Sequence, residues 1–443
     1  MEGTHMATKL TQKALAALRA KHAEDPSAPV LTRTITKNGI KAASFDNQAA
    51  SRLDRTFSVE VPTGKVSNQK HSGRCWEFSL LNTLRHKFAT KYHVKDFELS
   101  ENYLFFWDKI ERANIFYRNV EQTARQPIND RLVQFLFDNP GEDGGQWAMA
   151  ASLVQKYGVV PASVMPETYN TDNTSEFQEV LSRKLRKDGL KLRQLVMNGA
   201  NEAELQSLEK SMLQEVYRMA AYSFGEPPTH FDLEYRDDEH QYHRTANLTP
   251  QQFYQDYFDT DLDDYVVVTN SPDKPFNQLY SLPDEDNIIG GKPIEFLNVD
   301  MGVLTDVAVQ QLKSGETIWF GNDVLRQMDR KAGYLDAHLF ESAKLFGING
   351  HMTKAQRLLT GEGEVSHAMT LTGVDLVNET PTKWKVENSW GVENGDKGYF
   401  VMTQEWFDAY VYEVVVHKQF LAPEFQALLT EPARRLPAWD PLS

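Results

Sequence analysis

The stretch NQKHSGRCWEFS, residues 68–79, holds the only cysteine of a 443-residue chain. Ser72-Gly73 reads as a turn, and a helical pattern starts at Cys75, with Phe78, Leu81, Leu84 and Phe88 near one face. The sulfur is therefore expected at a helix N-terminus, where unpaired N–H groups favour thiolate over thiol. A lone cysteine is by default a small buried hydrophobe, so its partners decide the reading. A nucleophilic sulfur needs a base, and the base needs a group to hold it. Two strand-like runs offer both: His367 in EVSHAMTLTGV and Asn388 in KWKVENSWG. Period-two alternation sets His367 with Met369 and Leu371, and Asn388 with Trp384 and Val386. Polar side chains on apolar faces are costly unless they satisfy each other or serve chemistry. Singly, each passes for a core residue bonded to backbone; with Cys75 they form a Cys-His-Asn constellation.

Composition narrows the alternatives. At 41% hydrophobic and 25% charged, the chain has the make-up of a globular protein able to bury a large core. A net charge of −15 is the wrong sign for meeting phosphates, which speaks against nucleic acid as a partner. The basic run SRKLRKDGLKLRQ, 182–194, interleaves Leu185, Leu190 and Leu192 at helical spacing and reads as a solvated helix face. His240 and His243 in DDEHQYH sit in a polar, turn-like run, and neither HExxH nor paired cysteines occur, so no metal site is expected. No GxGxxG or GxxxxGK[ST] pattern suggests a nucleotide. Residues 1–6, MEGTHM, read as a vector-derived tag. Without a signal-peptide pattern, an 18-residue apolar run or a second cysteine, a cytoplasmic location is expected, with no membrane partner.

Texture changes along the chain. Segment 7–66 is an N-terminal stretch, and 67–165 is helical and carries Cys75. Segment 166–264 is mainly helical and charge-rich, as in EAELQSLEKSMLQEVYRMAAY. From 265 to 430 strand-like runs dominate (YVVVTN, ETIWFGND, HAMTLTGVDL, KWKVENSW, GYFVMT, YEVVVHKQF), and 431–443 forms a C-terminal arm. A helical half before a β half predicts an α+β protein with its site in a cleft between them.

The motifs resemble those of the papain-like cysteine peptidases. They are Gln69 followed after five residues by Cys75-Trp76-x-Phe78-Ser79, then Ser366-His367-Ala368 ahead of a strand, and Asn388-Ser389-Trp390-Gly391. Within that group the chain is similar to the bleomycin hydrolase and bacterial aminopeptidase C family. The marks are SGRCW, DGGQWAMAASLVQKYGVVPASVMPETYN, FDLEYRDDEHQYH before NLTPQQFY, and the ending LPAWDP. The resemblance implies a two-lobed papain-like fold, a helical lobe plus a β-barrel-like lobe, with 166–264 as a hook in a homohexamer. It implies hydrolysis of short or unfolded peptides, most of all as an aminopeptidase, without a cofactor. Cys75 would be the nucleophile, His367 the base, Asn388 its orienter and Gln69 an oxyanion donor. Trp76 and Trp390 would support them, Gly144 and Gly145 would line the substrate cleft, and the Ser443 carboxylate would meet the substrate's α-ammonium. Glu77 stands where such relatives carry a hydrophobic residue. The arm is about three residues shorter than the usual ending, a reach of roughly 10 Å. That shortness predicts, as an alternative, cleavage inside oligopeptides; a nucleic-acid-binding or catalytically dead relative ranks below both.

Overall fold

A computed structural model describes residues 9–138 and 140–443, so residues 1–6, read as a tag, lie outside the described part. Two units separate: the residues before Leu53 with His338–His351, and Leu53–Ala337 with Met352–Ser443. In the smaller unit, helices Gln12–Ala23 and Ala28–Asn38 precede two short helices, and Phe45 meets Phe340 edge to face at 5.7 Å. Every residue named for a function lies in the larger unit.

The helix Cys75–Tyr92 runs through the middle of that unit. It starts directly after Arg74 and ends at His93 in the left-handed region (φ 53). Trp76, Phe78, Leu80, Leu81, Leu84 and Phe88 are all buried, and so are its polar residues Glu77, Asn82, Arg85 and His86. Of these, Arg85 donates to Asn82 Oδ1 at 2.8 Å, whereas neither carboxyl oxygen of Glu77 has a hydrogen-bond partner. Helices Glu101–Gln122 and Trp147–Tyr157 share its core. Helices Ser175–Met197 and Glu202–Phe224 add Phe177, Leu181, Leu185, Leu192, Val216 and Phe224 to the same core. Leu190, grouped with those leucines by its spacing, is instead 55% exposed. The DDEHQYH run forms the tip of a hairpin between strands Phe231–Arg236 and Tyr242–Leu248, where His243 Nε2 meets Asp237 Oδ2 at 2.9 Å.

All six strand-like runs are strands, and the sheet is larger than they suggest, with twelve strands. Its centre reads Tyr265–Thr269, Val411–His417, Ile318–Asn322, His367–Val377, Thr380–Glu387 and Tyr399–Thr403 in spatial order, each antiparallel to the next. Successive residues of His367–Val377 feed opposite faces: Ala368 joins the core of the Cys75 helix, Met369 a second core with Phe320, Trp384 and Val414. That second core is roofed by helix Met301–Lys313, an element absent from the strand-dominated reading of 265–430. Its signals are local: Asp300 accepts from Gly302 N at 2.8 Å, and Leu304, Val307, Ala308 and Leu312 repeat at helical spacing.

The sheet and the Cys75 helix are tied by polar contacts. Ser79 Oγ donates to Met369 O at 2.7 Å and Trp319 Nε1 to Trp76 O at 3.1 Å. The α+β class expected from the sequence is the one observed.

Candidate active site

Cys75 is the first residue of its helix, as the turn at Ser72-Gly73 implied, and it is half-buried at the wall of a cavity of about 550 Å³. Gln69, Gly144, Gly145, His367, Trp390 and Ser443 line the same cavity. The structure thus brings together residues spread from 69 to 443 in the chain. Trp76 does not line it; buried beneath, its indole donates to Asp143 O at 2.7 Å.

His367 opens its strand and pairs in register with Asn322. Its Nε2 lies 3.0 Å from Asn388 Oδ1, and Asn388 is fully buried one residue beyond strand Thr380–Glu387. An amide oxygen accepts, so Nε2 carries the hydrogen and Nδ1 keeps its lone pair. Trp390 stacks on the imidazole (centroids 4.9 Å apart, planes at 29°) and covers that bond. The Arg330 guanidinium in turn lies 4.2 Å from the Trp390 ring centre. Burial drives the imidazolium down to about 4, against the pull of Asn388, and Arg330 adds to the drop.

Burial likewise pushes the Cys75 thiol up to about 11, and the nearby Glu77 carboxyl adds to the rise. The N–H groups of Ala368, Trp76 and Cys75 pull the other way without reversing it. Desolvation thus opposes the thiolate that the helix N-terminus favours.

Gln69 is buried, with its Nε2 donating to Ser72 O at 2.6 Å and its Oε1 without a protein partner. The second amide hydrogen is left for the cavity. Two backbone contacts fix Gln69 relative to the Asn388 loop: Gln69 N donates to Ser389 O at 2.8 Å, and Gly391 N to Ser67 O at 3.1 Å. Gly391 has φ +74, and a Cβ there would stand 2.4 Å from Asn68 Nδ2, so the junction demands glycine.

The glycine pair divides. A Cβ on Gly144 would meet nothing within 4 Å, whereas one on Gly145 would stand 2.7 Å from the Trp76 ring. Only Gly144 leaves room over the cavity. Arg112 holds both in place, donating to Gly144 O and lying 5.7 Å from the Trp76 ring centre, with its own charge met by Asp108 at 2.8 Å. The last segment is pinned as well: Gln146 Nε2 donates to Leu442 O at 2.9 Å, Lys274 meets Asp440 at 3.0 Å, and Arg131 stacks on Trp439 at 3.9 Å.

Sequence reading passed over Arg330, Arg112 and the buried group of Arg85, His86 and Glu387. Arg85 bonds Glu387 Oε1 and His86 Nε2 lies 3.0 Å from Oε2, joining the Cys75 helix to the residue before Asn388. The adjacent Arg85 and His86, set between Leu84 and Phe88 on the apolar side of the helix, were the available signal. Among the described residues no cluster of potential metal ligands exists, and no helix is long and apolar enough to cross a membrane.

A sulfur at a helix start, and an imidazole held by a buried amide at the wall of the same cavity, define the class of the cysteine-dependent hydrolases. The chain belongs to the Peptidase C1-like family, which it matches over residues 9–443. It is 54% identical over 438 residues to Aminopeptidase G of Lactobacillus delbrueckii subsp. lactis, covering 99% of this chain and 100% of that relative. It is 52% identical over 439 residues to Aminopeptidase E of Lactobacillus helveticus, again covering 99% and 100%. Among solved structures, that of pepw from Lactobacillus rhamnosis HN001 superposes with a TM-score of 0.97 at 46% identity, covering 99% of each chain.

Proposed function

We propose that this chain is a cysteine aminopeptidase that releases residues from the N-termini of short or unfolded peptides. The observation that carries the reading is the His367 Nε2–Asn388 Oδ1 bond, which leaves Nδ1 free as a base in the cavity that Cys75 lines. The full-length likeness to Aminopeptidases G and E supports the choice of reaction.

The residues supply a complete sequence of steps. Cys75 Sγ attacks the peptide carbonyl carbon as its proton passes to His367 Nδ1. Negative charge grows on the carbonyl oxygen, where the Gln69 amide and the Cys75 N–H donate. The C–N bond breaks as the imidazolium protonates the departing amine, leaving a thioester on Cys75. His367 then takes a proton from water, the hydroxide adds, and collapse releases the acid and returns the thiol. Gly144 lets the substrate backbone lie close, and Ser443 sets how many residues fit ahead of the cleaved bond.

Stoichiometric iodoacetamide should abolish turnover by modifying Cys75, while a chelator should leave it intact; loss to chelator alone would overturn the assignment. The alternative, cleavage inside oligopeptides, is separated by comparing kcat/KM for one peptide with a free and an acetylated N-terminus. An aminopeptidase favours the free amine by roughly a thousandfold, since a charge-assisted contact is lost and a buried group left unpaired.

Assembly through segment 166–264 and a cytoplasmic location belong to the same proposal. The exposed Val180, Leu190, Met197 and Tyr222 on its two long helices support the first. The single cysteine supports the second.

A further inference from the structure

Gln69 sits in a loop that has to be held in shape. Lys70, the next residue, has φ 54, in the left-handed region that residues with a side chain rarely occupy. Such a residue persists where its surroundings over-determine it. Asn68 Oδ1 accepts from Lys70 N at 2.9 Å on one side of it. On the other, Gln69 and Ser72 bind each other twice. Ser72 Oγ donates to Gln69 O at 2.6 Å, and Gln69 Nε2 donates to Ser72 O at 2.6 Å. This closed ring fixes the plane of the Gln69 amide, and with it the direction of the second amide hydrogen.

Ser72 is held in turn. Its hydroxyl accepts from Arg74 Nε at 3.1 Å, so guanidinium, hydroxyl and Gln69 carbonyl form one oriented chain of hydrogen bonds. Arg74 has no exposed surface, and all three guanidinium nitrogens are bonded. Nη1 and Nη2 meet the two carboxyl oxygens of Glu167 at 3.1 and 2.6 Å, and Nη2 also donates to Thr171 O at 2.8 Å. A fork bonded in this way cannot turn without losing several charge-assisted bonds. The backbone adds to the link, with His71 N donating to Asp172 O at 2.9 Å. Glu167, Thr171 and Asp172 all belong to the opening of segment 166–264, so the loop is braced from 93 residues further along the chain. Arg74 does not line the catalytic cavity, whereas Ser72 and Gln69 do.

We propose that Arg74 and Ser72 are positioning residues for the reaction: anchored by Glu167, they hold the Gln69 amide where the substrate's carbonyl oxygen gains its charge. This rests on the reading of Gln69 as an oxyanion donor, and the experiment separates the two.

The test is steady-state peptide hydrolysis by Ser72→Ala, Arg74→Lys and Gln69→Ala, singly and with each of the first two combined with the third. Ser72→Ala and Arg74→Lys should each lower kcat roughly tenfold or more with little change in KM, because the Gln69 bond is made in the transition state. In the Gln69→Ala background neither should lower kcat further, since the amide they position is gone. Alkylation of Cys75 by iodoacetamide passes through no oxyanion, so its rate should be unaltered in both single variants. Losses that multiply with that of Gln69→Ala overturn the proposal, as does an unchanged kcat in Ser72→Ala. Slowed alkylation also overturns it, since the two residues would then act on the sulfur. Should Arg74→Lys fail to fold, Ser72→Ala decides, because it removes a single hydroxyl. An unchanged kcat in Gln69→Ala sinks the oxyanion assignment and this proposal with it. A loss in Gln69→Ala that Ser72→Ala simply multiplies sinks the proposal and leaves the assignment standing.

Discussion

At Gly145 a methyl group would be driven into the Trp76 ring, while at the adjacent Gly144 it would enter open space. Gly145→Ala should therefore cost about 1–3 kcal/mol of stability by overpacking, read as a drop in Tm. Gly144→Ala should leave Tm unchanged and lower kcat/KM for peptides, because its methyl occupies the room a substrate backbone needs. An equal Tm for both variants would contradict this division. Gln69 is the other residue whose role is sharply testable. Its amide has one hydrogen committed to Ser72 O and one available, so Gln69→Ala should lower kcat by about 10²–10³ with little change in KM. Asn388→Ala should lose less than Cys75→Ala, because it orients the base without entering the reaction; unchanged kcat in Gln69→Ala would remove it from the oxyanion site.

Arg85, His86 and Glu387 join the Cys75 helix to the strand that leads into Asn388, and this junction carries a pH signature. Burial holds His86 below its ordinary range, more strongly than Glu387 lifts it. The folded chain thus keeps His86 neutral at acidities where the unfolded chain charges it. Stability present above pH ~6.5 is lost as pH falls from there toward the folded value, with a slope of at most about 1.4 kcal/mol per pH unit from this group. The Glu387 carboxylate is held below its usual value, so its own contribution is lost only at more acid pH. His86→Gln should flatten the dependence of Tm on pH between about 7 and 5, though not abolish it, since His367 is depressed in the same way. An unaltered slope would mean that His86 is not held neutral.

This junction also shows where sequence reading stops. The start of the Cys75 helix and the six central strands were legible because turn residues and periodicity are local. His367, Asn388 and Gln69 were legible because each sits in a recognisable short motif. The Arg85–Glu387 pair spans 302 residues, and nothing in either neighbourhood names the other partner. Helix Met301–Lys313 was lost for a different reason: its Val and Leu residues look like strand until the Asp300 cap is weighed. Desolvation of Cys75 and His367 was out of reach altogether, since it depends on how much protein closes over them.

For the molecule as a whole, helices Ser175–Met197 and Glu202–Phe224 bury one side in the core of the Cys75 helix and leave Val180, Leu190, Met197 and Tyr222 exposed on the other. Light scattering at micromolar concentration should give a mass several times that of one chain. Charged replacements at Val180 and Leu190 should reduce that mass and leave the fold intact, since neither is in the core. A clean monomer would refute assembly through this segment.

The hydroxyl of Ser79, one turn into the Cys75 helix, donates to Met369, 290 residues further along the chain. During synthesis at about 5–20 residues per second, the ribosome needs roughly 15–60 s to make the strand that completes this contact. Throughout that interval Cys75 has neither His367 nor Asn388, and Gln69 N has no Ser389 carbonyl to donate to. The nascent chain therefore carries its sulfur as an unactivated thiol. Competence arrives only when the last central strands close the sheet, so a ribosome releasing truncated products does not release stray proteolysis with them.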